Sequence, residues 1–167
     1  MTKAIEMAKI SAKGGFNLFW GLATSTIISA VGVILVARLL SPSEYGLVAI
    51  ALTAPNLIAI FRDWGVNSAM IKYIAQYNSE NETANVKSII DAGLLFELAL
   101  GFSLSFISFE LSGFLATNIF RRPDISPLIQ IASFTIFAGA ALTVAQSTFI
   151  GFEKMGLNSI TMICQSP

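Results

Sequence analysis

The chain has no histidine and one cysteine among its 167 residues. Imidazole acid–base chemistry and histidine metal ligation are therefore excluded. The lone Cys164 cannot form an internal disulfide and sits in an apolar stretch, where cysteine behaves as a small hydrophobe. Charge is scarce as well. Lys, Arg, Asp and Glu make up 12% of the residues, against about 25% in soluble domains. The 10 basic and 10 acidic side chains cancel, so nothing draws the chain toward nucleic acid. Low charge combined with 54% hydrophobic residues rules out disorder. The 12 glycines follow no period, which excludes collagen. What remains is a chain too apolar for a core wrapped in a polar surface, and it reads as an all-α membrane protein with several spans.

The gaps between charges locate the spans. Residues 14–37 form 24 uncharged positions between Lys13 and Arg38. As a helix they reach about 36 Å, enough for a hydrocarbon core of about 30 Å. The run is longer than a signal-peptide core and no small-residue cleavage site follows, so we expect an uncleaved first span. A second span, at about 45–63, opens on 17 uncharged residues after Glu44 and carries Pro55 near its middle. A third covers about 93–118 and is interrupted by Glu97 and Glu110; a fourth, at about 126–151, lies in 28 uncharged residues between Asp124 and Glu153. The apolar string from Gly156 to Cys164 reads as the start of a fifth, at 156–167.

The connections add detail. In Arg38-Leu39-Leu40-Ser41-Pro42-Ser43, the Ser-Pro pair ends the first helix and Ser43 is placed to cap the second. Between residues 65 and 90 lies an amphipathic segment. Val66, Ala69, Met70, Tyr73, Ile74 and Tyr77 share one helical face, expected to lie in the membrane interface. Ser79-Glu80-Asn81-Glu82 then has the form of a capping box leading into the third span. Seven Lys and Arg fall on the side of the N-terminus and of the long 62–91 connection, three on the other. The positive-inside rule therefore puts the N-terminus and the amphipathic segment in the cytoplasm. Small residues recur at helix-packing intervals: Gly21, Ser25 and Ser29; Gly101, Ser105, Ser108 and Ser112; Gly139, Ala141, Thr143 and Ala145.

Ionisable and amide groups at membrane depth are the functional candidates, because lipid penalises them. Glu97 either faces a hydrated cavity, where it would take a proton or cation, or reaches back to the interface. The same two readings apply to Glu110. Asn56, beside Pro55, either bonds a neighbouring helix or lines a polar path. Gln130 and Gln146 are weaker candidates of this kind. Arg38 either guides a phosphate by bidentate contacts or anchors the first span. Arg62 and Asp63 read as a local pair at the cytoplasmic boundary. No nucleotide loop, metal-spaced cluster or nucleophile–base arrangement is present, so no enzyme activity, cofactor or metal is expected.

From Val36 to Tyr77 the pattern becomes specific. Ala-Arg-Leu-Leu ends the first span, Ser-Pro-x-x-Tyr-Gly opens the second, Gly65 is followed by Ser68-Ala69, and Ala-x-Tyr closes the amphipathic helix. This order resembles the N-terminal part of the polysaccharide flippases, the O-antigen-type branch of the multidrug/oligosaccharidyl-lipid/polysaccharide exporter superfamily. The resemblance implies two lobes of about six helices around a polar cavity. It implies alternating access that moves a lipid-linked oligosaccharide across the cytoplasmic membrane, often coupled to a proton or sodium gradient. The related peptidoglycan-precursor flippases share Pro55-Asn56-Leu57, but an arginine pair follows there in place of Ile58-Ala59. From that family pattern only Arg38 and Asn56 carry over. Four spans and the start of a fifth, against twelve or more in the family, imply part of an N-terminal lobe. The competing readings are a multidrug-type exporter of the same superfamily and a membrane scaffold or assembly subunit that transports nothing.

Overall fold

The structure, a computed structural model, describes residues 2–62 and 64–165, with side chains from Gly14 onward. It is all helix, with no strand among the described residues. In chain order the helices are α1 (Thr2–Leu39), α2 (Pro42–Ala59), α3 (Val66–Ser79), α4 (Thr83–Glu110), α5 (Ser112–Phe114), α6 (Ser126–Gly151) and α7 (Met155–Cys164). Four stretches are long and apolar enough to cross a membrane: Gly14–Leu39, Pro42–Arg62, Thr83–Glu110 and Pro123–Gly151. The chain is a multi-pass helical membrane protein.

Local chemistry sets the breaks. At the start of α2, Ser41 is the cap, not Ser43. Its backbone is extended, its hydroxyl accepts the Glu44 N–H at 3.3 Å, and its own N–H donates to the Glu44 carboxylate at 2.8 Å. This reciprocal pair satisfies two donors that a helix start leaves open, and Pro42, which has no N–H to lose, takes the first turn. The serine to choose was the one before proline, because the cap must stay extended while proline enters the helix. Gly65, at the start of α3, has φ +79°. Only glycine reaches that region at little cost, which explains the residue there.

The Ser79–Glu82 capping box does not form. Ser79 instead closes α3 by donating to the Gln76 carbonyl at 2.7 Å, and Glu82 precedes α4 without a side-chain cap. Asn81 turns the chain with φ +59°, a conformation that asparagine tolerates. The segment 65–90 is thus two elements, α3 and the first turns of α4. Part of the apolar face of α3 docks on α4 and α6, while Ala69 and Tyr73 of the same face stay exposed. Met70 and Ile74 are buried, with Met70 against Gly93 and Ile74 against Gly151.

The centre of the bundle is the pairing of α4 with α6. Gly101, Ser105 and Ser108 of α4 and Ser112 at the start of α5 are all buried. Gly101 lets the two backbones close until a Cβ there would stand 2.5 Å from that of Ala140. Ser105 donates to the Ser133 carbonyl at 2.9 Å, and the Ser108 and Ser133 hydroxyls are 2.7 Å apart. On α6 the packing stripe is Ile129, Ala132, Ser133, Ile136, Ala140, Val144, Ser147 and Gly151. It runs beside the expected Ala141 and Ala145, which lie outside it. Ala51 and Ala54 of α2 pack with Ala116, Ile125 and Ile129, and Pro55 is buried as well. Helix α1 stands apart from this group and packs on α7, where Gly21 meets Ser159 and the Ser159 hydroxyl donates to the Asn17 carbonyl at 2.8 Å.

Candidate functional site

One charged cluster lies inside the bundle. Glu97 is fully buried, about 21 Å along α4 at 1.5 Å per residue. The Arg62 Nε stands 3.7 Å from its Oε2. Arg62 enters from the single 3₁₀ turn, Ile60–Arg62, that ends α2. Its Nη1 donates to the Ile136 carbonyl at 3.2 Å and its Nη2 to the Thr143 hydroxyl at 2.9 Å, both on α6. Gly139 leaves the space for this approach, since a Cβ there would stand 3.0 Å from Nη1.

Electrostatics account for the pairing. Unit charges 3.7 Å apart attract by about 4 kcal/mol at an effective dielectric of 20. Desolvation offsets much of this, so the pair adds little net stability. Removing one partner, however, strands a buried charge at a cost of about 3–5 kcal/mol. The cluster therefore couples α2, α4 and α6 strongly while contributing modestly to overall stability. Glu97 reaches Arg62 and not the membrane surface. Asp63, the expected partner of Arg62, lies outside the described residues.

Arg62 closes the second membrane-length stretch, where the sequence places it. Its reach across the bundle to Glu97 on α4 and to Ile136 and Thr143 on α6 is what reasoning from sequence missed.

The other expected site residues are dispersed. Arg38 is exposed at the end of α1, Asn56 is exposed in the last turn of α2, and Glu110 is exposed as the last residue of α4. Gln130 is half-buried on α6. Gln146, also half-buried, donates from Nε2 to Gln165 Oε1 at 3.0 Å, bridging α6 to α7. A further polar group stands out on α7. Asn158 is fully buried, and neither end of its amide has a hydrogen-bond partner among the described residues. No group of three or more His, Cys, Asp or Glu among the described residues is placed to hold a metal.

Beside the polar centre the surface is aromatic. Phe102, Phe106 and Phe109 of α4 face Phe134 and Phe137 of α6 across a groove of about 460 Å³. Two edge-to-face pairs, Phe102–Phe137 and Phe109–Phe134, have ring centroids 6.3 Å apart. Such a surface suits acyl chains or another apolar helix and offers a sugar no hydrogen bonds.

Comparison with known proteins decides the family. The model of a family described as "Polysaccharide biosynthesis protein" matches residues 11–166. The chain belongs to that family. It is also 32% identical over 123 residues to the succinoglycan biosynthesis transport protein ExoT of Rhizobium meliloti (strain 1021). That alignment covers 72% of this chain and 23% of the relative, so the chain spans about a quarter of the length of the transport protein it matches. No solved structure matches. The family description and the relative's name point to polysaccharide biosynthesis and transport, not to catalysis.

Proposed function

We propose that this chain is the N-terminal portion of an exporter that flips a lipid-linked oligosaccharide across the cytoplasmic membrane by alternating access. The observation that carries the reading is the family match over residues 11–166, on a bundle with four membrane-length helices. The partners are then the lipid-linked oligosaccharide, the bilayer, and a coupling proton or sodium ion. The basic residues orient the N-terminus and α3 toward the cytoplasm.

The exposed polar groups supply the path. Asn56 is exposed about two-thirds of the way along a stretch long enough to span. An amide there is costly against lipid and useful against water or a sugar hydroxyl. Arg38 and Glu110, exposed at the ends of α1 and α4, and Gln130 and Gln146 on α6 are the further polar candidates.

The test is genetic and chemical. Deleting the gene is expected to abolish surface polysaccharide and to leave its lipid-linked precursor on the cytoplasmic face, with the wild-type gene restoring export. Asn56→Ala is expected to lower export severalfold at an unchanged amount of membrane protein. Intact polysaccharide in the deletion strain overturns the reading. If that strain instead becomes sensitive to cationic drugs, the multidrug class replaces it.

A further inference from the structure

We propose that the groove between the end of α3, the start of α4 and the end of α6 seats the phosphate of an anionic bilayer phospholipid, held by Lys87 and Lys154. The groove has a volume of about 260 Å³ and is lined by Asn78, Thr83, Val86, Lys87, Ile90 and Phe152. Its apolar part, Val86, Ile90 and Phe152, belongs to the cluster in which α3 meets α4. Lys87 stands in the wall, one turn into α4. Lys154, in the connection from α6 to α7, holds its ammonium 5.6 Å from the centroid of the Phe152 ring. Both lysines are exposed, and neither pairs with a carboxylate among the described residues.

Charge around the groove favours an anion. Four carboxylates stand at this end of the bundle, Glu80, Glu82, Asp91 and Glu153, and none of them lines the groove. Glu80 already accepts from Gln76, and Glu82 from Asn85. Asn78 and Thr83 add neutral hydrogen-bonding groups to the wall. The start of α4, which no side chain caps, adds the positive end of a helix dipole.

Position selects a lipid over a soluble anion. The groove lies at the ends of two membrane-length stretches, Thr83–Glu110 and Pro123–Gly151. Lipid headgroups lie at that level. Trp64 and Tyr73, residue types enriched there, are exposed at the same end of the bundle. Basic pockets between membrane helices are a recurrent seat for anionic headgroups. A soluble phosphate gains nothing from Ile90 and Phe152, whereas the first carbons of a lipid bury against them. The seat does not depend on what the protein transports.

The experiment uses the protein as expressed from its gene, purified in detergent and stripped of lipid. Phosphatidylglycerol and phosphatidylethanolamine are titrated in turn, and binding is read by native mass spectrometry and by the rise in thermal midpoint that a ligand of the folded state causes. Wild type is compared with Lys87→Gln, Lys154→Gln, the double variant and Lys72→Gln. Lys72 is exposed on α3 outside the groove, with its ammonium over the Tyr73 ring, and controls for net charge. Phosphatidylglycerol is expected to bind wild type roughly tenfold more tightly than phosphatidylethanolamine, whose amine offsets its phosphate. Each groove lysine is expected to contribute roughly fivefold, and the pair roughly 25-fold, while Lys72→Gln stays within about twofold of wild type. Added salt is expected to weaken binding to wild type and to change the double variant little. Four results overturn the proposal: a double variant that binds phosphatidylglycerol as tightly as wild type, an equal loss in Lys72→Gln, equal affinity for the two lipids, or displacement of phosphatidylglycerol by inorganic phosphate at the same concentration. Displacement by the lipid-linked oligosaccharide overturns it as well and gives the groove to the cargo.

Discussion

Adding one methyl group at Gly101 tests the packing of α4 on α6. In Gly101→Ala the new Cβ would stand 2.5 Å from the Ala140 Cβ, with Ile136 O and Phe137 Cα at an ordinary 3.7 Å. The helices must part by about 1 Å to restore van der Waals contact, and such overpacking costs about 1–3 kcal/mol. Parting also stretches the Ser105–Ser133 and Ser108–Ser133 hydrogen bonds, now 2.9 and 2.7 Å. Interhelical bonds in membranes average about 0.6 kcal/mol each. Against this, alanine is the better helix former by about 1 kcal/mol. The net expectation is a loss of about 1–3 kcal/mol, read as a lower midpoint of thermal unfolding in detergent. The compensating variant sharpens the test. In Gly101→Ala/Ala140→Gly the two propensity changes cancel and the clash is gone, so stability is expected to return close to wild type. Gly113→Ala, where nothing lies within 4 Å, controls for the substitution itself. A Gly101→Ala variant as stable as wild type, or one that Ala140→Gly does not rescue, would refute the packing described.

Two other positions give graded outcomes. A Cβ at Gly151 would meet the stiff, β-branched Ile74 at 2.7 Å, whereas one at Gly93 would meet the flexible end of Met70, which has a groove of about 390 Å³ to move into. Gly151→Ala is therefore expected to cost about 1–3 kcal/mol and Gly93→Ala under about 1 kcal/mol, compared by thermal midpoint; the reverse order would contradict the docking of α3. Ser41→Ala removes the α2 cap and is expected to cost about 0.5–2 kcal/mol, while Ser43→Ala leaves the same midpoint unchanged.

Much of the molecule is legible from its residues taken in order. Hydrocarbon thickness fixes how long an uncharged run must be, so three of the four membrane-length helices follow from where Lys13, Arg38, Glu44, Arg62, Asp124 and Glu153 stand. The Gly101–Ser112 stripe announces a close helix contact because only small residues let backbones meet. Asn81 shows how such reading fails. A serine and a glutamate at capping spacing mean nothing where the intervening chain turns through a left-handed residue.

Arg62 and α3 show what sequence order does not hold. An amphipathic face specifies that something apolar covers it, and lipid and protein satisfy that requirement equally. Only tertiary structure shows that Met70 and Ile74 are covered by α4 and α6 while Ala69 and Tyr73 stay exposed. A buried carboxylate likewise specifies that some cation meets it. Arg62 and Glu97 are 35 positions apart, and their meeting depends on where the end of α2 falls along α4. That depth is set by the packing of Ala51 and Ala54 beside α6. Sequence thus determined the membrane, the helices and the family signature, because each is a property of neighbours along the chain. Tertiary structure decided which polar groups are paired and which stay exposed, because distance between helices is a property of packing alone.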